Sequence, residues 1–131
     1  MIEQSIVLVE DDEHLQSILT RNLRKRGHDV RSARLGAEAR RLLAGQAPGV
    51  LILDINLPDE TGWDVLRWLR EQPGEHPRVI VLTAFRPPKT HLANLAPYRL
   101  LTKPFPIEAL TRLVESDGDD PAPRIGGDIV P

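Results

Sequence analysis

The sequence predicts an α/β fold, in which helices cover both faces of a doubly wound parallel sheet of five strands in the order 2-1-3-4-5. Two observations lead to this prediction. Short, continuous apolar runs, typical of strands buried on both faces, alternate along the chain with segments whose apolar residues recur at helical spacing. The second strand candidate, residues 28–32, is polar and therefore suits a sheet edge, which places the first and third strands side by side in the centre.

The first half of the chain is expected to contribute three strands and two helices. The first helix is indicated by Leu15, Ile18 and Leu19, which fall on one face, and it ends near Gly27. In the second helix, Arg40 and Arg41 fall on the outward face and are expected to be solvated. In chain order, the elements are a strand over 5–9, a helix over 15–23 and onward to Gly27, a strand over 28–32, a helix over 36–44 and a strand over 50–54.

The second half begins with a helix that Thr61 caps and that ends near Glu71. A short or irregular helix is expected over residues 88–96, because prolines crowd both of its ends. The remaining elements are a strand over 79–82 that ends at Thr83, a strand over 98–102 that ends at Lys103, and a helix that starts at Pro106 and runs to about Glu115. One domain over 1–115 and a disordered tail or linker over 116–131 are therefore predicted.

Composition excludes several classes of protein. The net charge is −2, there is no long basic run and there is no cysteine, so neither direct nucleic-acid binding by this chain nor a disulfide framework is expected. No stretch approaches the length of a membrane span, and no secretory leader is apparent. A cytoplasmic protein without a membrane contact is expected. The four histidines are scattered without metal-ligand spacing.

Four predicted strands end in chemically useful side chains. These are Glu10 with Asp11, Asp54, Thr83 and Lys103. Because the carboxyl ends of parallel strands share one edge of a sheet, these groups should converge there. Two like charges 4 Å apart repel by roughly 4 kcal/mol at an effective dielectric of 20, so the acids need a proton or a cation, and an all-oxygen site suits Mg²⁺. Asp12 is either a third acid at this site or the cap of the first helix.

These residues, together with Leu57-Pro58, Gly62, Ala84 and Pro104-Phe105, resemble the receiver domain of two-component response regulators over residues 5 to 115. The resemblance implies a flavodoxin-like fold and a signalling domain, not an enzyme, which takes a phosphoryl group on Asp54 from a histidine kinase or histidine phosphotransfer protein. It implies Mg²⁺ held by Asp11, Asp54 and the Asn56 carbonyl, with Glu10 acting largely through water. It also implies that Thr83 and Lys103 sense the phosphoryl group, and that the Lys103–Pro104 bond is cis.

The chain departs from the family pattern at Leu100 and in the short, proline-rich segment between Thr83 and Lys103. Leu100 stands where the family usually has a Tyr or Phe that reports phosphorylation, and Tyr98 lies two residues earlier on the same strand face. Either the switch is altered, or Leu100 is an ordinary core residue. Phe85 is expected to flank the phosphoryl pocket, where it would hinder attacking water and slow dephosphorylation.

Two other functions fit parts of the pattern. A pseudo-receiver would bind partners without being phosphorylated, which Leu100 and the short segment after Thr83 favour. A haloacid dehalogenase-like phosphatase also uses an Asp at a strand end with Mg²⁺, but the second acid of its Asp-x-Asp motif is Asn56 here. Trp68 lies off the inward face of its helix and marks either a contact surface or an aromatic ring that packs on a neighbour.

Overall fold

The computed structural model describes residues 3–85 and 99–116. It shows one five-stranded parallel sheet in the order β2-β1-β3-β4-β5, and four helices within the described residues, so the predicted fold class and strand order are confirmed. The strands are β1 Ser5–Val9, β2 Asp29–Ala33, β3 Val50–Asp54, β4 Arg78–Thr83 and β5 Arg99–Thr102, and the helices are α1 Glu13–Lys25, α2 Gly36–Gly45, α3 Gly62–Arg70 and α4 Ile107–Glu115. The helix expected over 88–96, Tyr98 and the tail expected after Ser116 lie outside the described residues.

The core consists of two apolar layers, one on each face of the sheet, because successive strand residues point to opposite sides. All five residues of β3 are buried, as its continuous apolar run predicts. The edge strand β2 is buried only at Val30 and Ala33. One layer packs under α2 and α3 and includes Leu51, Leu53, Val81, Ala39, Leu43, Val65, Leu66 and Leu69. The other packs under α1 and α4 and includes Ile6, Leu8, Ile52, Ile80, Leu19, Leu23, Leu110 and Val114.

The strand register brings the carboxyl ends of the central strands to the same edge. Val9 of β1 pairs with Leu53 of β3, and Asp54 pairs with Leu82 of β4. Thr83 in turn pairs with Thr102 of β5. The residues that follow these strand ends therefore share one edge of the sheet. Among the described residues, every helix is too short or too polar to cross a bilayer.

The surface between α2 and α3 differs from the prediction at Arg40. Arg40 was expected to be solvated, and this is wrong, because its guanidinium is paired with the Glu60 carboxylate and lies 5.6 Å from the centre of the Trp68 ring. Arg41 is exposed, as predicted. Trp68 is partly buried against the core layer, which agrees with the interpretation of a ring that packs on its neighbours.

Candidate functional site

The charged residues at the strand ends meet at one point. The Nζ atom of Lys103 lies 2.7 Å from Oδ2 of Asp54 and 3.0 Å from Oε1 of Glu10. Glu10, Asp11 and Asp54 each offer a carboxylate oxygen, and the three oxygens lie within 4.8 Å of one another. The convergence expected from the sheet geometry is therefore present.

Asp54 is held by the turn that follows β3. Its side chain is almost fully buried, and its Oδ1 atom accepts a hydrogen bond of 2.9 Å from the backbone N–H of Asn56. The backbone N–H of Gly62 donates to the carbonyl of Ile55 at 2.8 Å, which closes the loop between β3 and α3. A Cβ atom on Gly62 would stand 2.7 Å from the carbonyl oxygen of Asp54, so only glycine permits this close approach.

Glu10 is the most buried acid of the site. It is 1% exposed, and its Oε2 atom accepts a hydrogen bond of 3.1 Å from the backbone N–H of Asp12. Burial, and then the neighbouring charge of Asp54, raises the pKa of Glu10 to about 7. Burial alone would lower the pKa of Lys103, but pairing with Asp54 and Glu10 outweighs it and raises that pKa above its ordinary value. The lysine thus remains a cation between the two carboxyl groups.

Of the two roles considered for Asp12, the structure supports the cap. Its Oδ1 atom accepts hydrogen bonds from the backbone N–H groups of His14 and Leu15, at 3.0 and 3.1 Å, in the first turn of α1. Its side chain is therefore engaged at the helix, while Asp11 is partly buried at the acidic cluster.

Thr83 and Phe85 form a local turn at the end of β4. The Thr83 hydroxyl donates to the Phe85 carbonyl at 2.7 Å and lies 3.2 Å from the Phe85 backbone N–H, which donates to it. Thr83 is buried, whereas Phe85 is 79% exposed. On β5, Leu100 is 4% exposed within the core layer under α2 and α3, and the Lys103–Pro104 bond is cis, as the resemblance implies.

The residues present fit a hard divalent cation. The ligand atoms that cluster here are all carboxylate oxygens, which Mg²⁺ prefers, and the partly buried Asp11 leaves room on the solvent side. Asn56, which follows in the adjacent turn, is exposed.

Two polar side chains that the sequence analysis did not single out make contacts between distant segments, and only the first of them lies near the site. The Gln16 amide donates to the carbonyls of Glu10 and Ala33, at 2.9 and 3.1 Å, and so ties the ends of β1 and β2 together. Gln16 lies three positions before the buried Leu19 and therefore on the same face of α1. A polar residue on the inward face of a helix is a signal that could have identified this contact. His28 is buried at the opposite edge of the sheet, where its Nε2 atom lies 2.8 Å from Oε2 of Glu115. No local pattern marks it.

A parallel sheet in the order 2-1-3-4-5 that carries an acidic cluster and a lysine at its carboxyl edge is the architecture of a signal receiver. The chain belongs to the family described as the response regulator receiver domain, whose profile matches residues 6–115. This places it among the proteins of two-component systems, and it confirms the resemblance drawn from the motifs.

Relatives and solved structures agree with this assignment. The transcriptional regulatory protein GltR of Pseudomonas aeruginosa is 36% identical over 118 residues, which cover 84% of this chain and 47% of GltR. The chain thus spans about half the length of such relatives. A chemotaxis response regulator of Vibrio cholerae superposes with a TM-score of 0.77 at 25% identity, covering 86% of this chain and 97% of that one. The BeF₃-activated receiver domain of RstA from Klebsiella pneumoniae gives 0.73 at 28% identity, with coverages of 84% and 94%.

Proposed function

We propose that this chain is a phosphoacceptor receiver, in which Asp54 takes a phosphoryl group from a histidine kinase or a histidine phosphotransfer protein. The observation that carries the proposal is the position of Asp54, whose carboxylate lies beside Lys103 and within a cluster of three acids. The receiver family supports the same role. The phosphoryl group would then switch protein–protein contacts, and the domain acts as a signalling element, not as an enzyme with a separate substrate.

Each residue of the site has a defined part in this proposal. Asp54 is the nucleophile, because one of its oxygens bonds to phosphorus while the donor leaves. Asp11, Asp54 and the Asn56 carbonyl would hold Mg²⁺, with Glu10 acting through water, and the cation would neutralise the charge on the phosphoryl oxygens. Lys103 is a charged hydrogen-bond donor for one phosphoryl oxygen.

Thr83 contributes the second donor. Its hydroxyl now bonds to the backbone of Phe85, so it must turn away from that carbonyl to reach a phosphoryl oxygen. This exchange of partners links the modification of Asp54 to the segment that follows β4. Leu100, which is packed in the core, leaves this position without the aromatic ring usual in the family, so we propose that the hydroxyl and Lys103 carry the signal.

The wider context is also proposed. Residues 1–115 act as the receiver and residues 116–131 as a tail or linker, the setting is the cytoplasm, and this chain contacts no nucleic acid itself. The family assignment leaves no support for a haloacid dehalogenase-like phosphatase. The pseudo-receiver differs from the proposal in one respect only, which is whether Asp54 becomes phosphorylated.

The decisive experiment is Mg²⁺-dependent labelling with acetyl phosphate, followed by intact mass spectrometry. The wild type should gain one phosphoryl group, and Asp54→Asn should gain none. Asp64→Asn is a matched control, because Asp64 is another aspartate of the chain, engaged in the capping box of α3. Absence of labelling in a wild type that binds Mg²⁺ would favour the pseudo-receiver instead.

A further inference from the structure

The loop over residues 55–61, which joins Asp54 to α3, is fastened at two places. At its base, Gly62 donates to the Ile55 carbonyl, and Asn56 forms an antiparallel bridge with Thr61. At its tip, Asp59 and Glu60 contact α2, which precedes β3 in the chain. The base of the loop is held by contacts within residues 55–62, whereas the tip is held by contacts with α2.

The N-cap residue of α2 is Leu35, whose side chain cannot accept a hydrogen bond, and Glu38 accepts only from the N–H groups of Arg34 and Leu35, so the first N–H groups of the helix have no side-chain cap from α2 itself. The Asp59 carboxylate supplies one, as it accepts hydrogen bonds from the backbone N–H groups of Gly36 at 2.8 Å and of Ala37 at 3.1 Å. These are first-turn donors that a helix cannot satisfy internally. The same two bonds, Gly36 foremost, lower the pKa of Asp59, which is therefore an anion at the positive end of the helix.

Glu60 adds a second tie. Both of its carboxylate oxygens accept hydrogen bonds from the Arg40 guanidinium, which in turn faces the Trp68 ring of α3. A Cβ atom on Gly36 would collide with the Glu60 carboxylate, so glycine at the start of α2 leaves the space that the loop tip occupies. The tip thus packs against α2 through the Asp59 cap, the Glu60–Arg40 ion pair and the space left by the missing side chain of Gly36.

We propose that Asp59 is a positioning residue for the metal and phosphoacceptor site, and that it acts by holding the loop tip on α2. The inference rests on the proposed function. The loop carries Asn56, whose backbone N–H bonds to Asp54 and whose carbonyl is the proposed metal ligand. With the tip released, the base alone sets the orientation of that carbonyl, and a cation meets a looser set of oxygens.

The test compares Mg²⁺ affinity, measured by isothermal titration calorimetry, in the wild type, Asp59→Ala and Asp59→Asn. The change in Mg²⁺ affinity cannot exceed the free energy of the lost capping interaction. Asp59→Ala should therefore weaken Mg²⁺ binding by about three- to tenfold. Asn also caps helices but has one acceptor oxygen where Asp59 uses two, so Asp59→Asn should recover only part of the affinity. Glu115→Gln is the stability control, because it removes an ion pair with Arg26 and has no contact with the loop. Its Mg²⁺ affinity should equal that of the wild type.

Hydrogen exchange provides a second readout without metal. In Asp59→Ala, amides of residues 55–61 and of the first turn of α2 should exchange faster, while Glu115→Gln should leave them unchanged. If Asp59→Ala lowers the melting temperature but keeps wild-type Mg²⁺ affinity and loop exchange, Asp59 is a helix cap only and the inference is wrong. If the wild type itself neither binds Mg²⁺ nor becomes labelled, the proposed function fails as well, so the two failures are distinguishable.

Discussion

Substitution of Glu10 by glutamine should change how the stability of the protein depends on pH. The carboxyl group is buried beside Asp54, and its pKa is raised from 4.5 to about 7. An acid whose pKa is higher in the folded than in the unfolded state holds its proton more tightly when folded. The contribution of Glu10 to the free energy of unfolding is therefore highest below about pH 4.5, falls as the pH rises towards 7, and becomes level above it.

The size of the effect follows from the shift. Raising a pKa from 4.5 to about 7 costs the ionised folded state roughly 3 kcal/mol, at about 1.4 kcal/mol for each pH unit. Between pH 5 and pH 8, the wild type should lose about 2 to 3 kcal/mol of stability relative to Glu10→Gln. The substitution also removes the charge that faces Lys103, and this shifts the free energy of unfolding at every pH. The quantity to compare is therefore the slope of the free energy of unfolding against pH.

Urea unfolding at pH 5, 6, 7 and 8, with a chelator and at constant ionic strength, measures this difference. Titrating groups that do not contact Glu10 cancel in the comparison, whereas Asp54 and Lys103 interact with it, so the difference in slope reports Glu10 together with these two partners. Saturating Mg²⁺ at pH 8 should restore part of the loss in the wild type, because a bound cation favours the ionised acid. Parallel stability profiles for the two proteins would refute the reasoning, since Glu10 would then ionise alike in the folded and unfolded chain.

Two further predictions concern single positions. Gly62→Ala should destabilise the fold by about 1 to 3 kcal/mol in urea unfolding and reduce phosphorylation, because the new methyl group meets the Asp54 carbonyl; Gly45→Ala, with open space around it, is the control, and equal stability of both variants would contradict the argument. Phe85 is 79% exposed, so it can hinder attacking water only if its ring turns over the phosphorylated site; in that case Phe85→Ala should shorten the lifetime of the phosphorylated protein, as followed by loss of the phosphoryl mass over time, and loss within seconds from the wild type would show that Phe85 gives no protection.

The sheet could be predicted because its signals are local. A strand buried on both faces reads as a continuous apolar run, and β1, β3 and β4 all carry such runs. Once the strand order is given, the carboxyl ends must converge, and the grouping of Glu10, Asp54 and Lys103 follows from topology. The orientation of each side chain does not follow in this way. Thr83 illustrates the point, because its hydroxyl bonds to the Phe85 backbone, and only the turn after β4 determines this.

Contacts between distant segments were beyond the reach of the sequence. Asp59 looked like an ordinary turn residue after Pro58, yet it caps a helix that begins 23 residues earlier at Gly36. His28 accepts a hydrogen bond from the Gln4 backbone N–H at its Nδ1 atom, so its Nε2 atom carries the proton that faces Glu115. Neither partner is near in sequence, and no hydrophobic period identifies them.

The two ends of the sheet are held by different kinds of contact. At the end opposite the site, Arg26 and His28 hold Glu115, while Arg78 donates to the carbonyls of Leu113 and Val114, so the last turn of α4 is tied to β4 and to the connection between α1 and β2. The hydrogen bonds with Arg26 are the main reason why the pKa of Glu115 is lowered to about 2. The Glu115 carboxylate is therefore ionised at neutral pH, and its ion pair with Arg26 is maintained.

At the site end, the groups that would change partners are held by loops. Asp54 and Thr83 each bond to the backbone two residues further along, at Asn56 and Phe85. A phosphoryl group on Asp54, as proposed, would compete for the Thr83 hydroxyl and for Lys103, and so would perturb the loops after β3 and β4. Because the opposite end is held by side chains from β4 and from the connection between α1 and β2, we expect the response to remain at the carboxyl edge and to reach α2, whose first-turn N–H groups bond to Asp59, before it reaches α4.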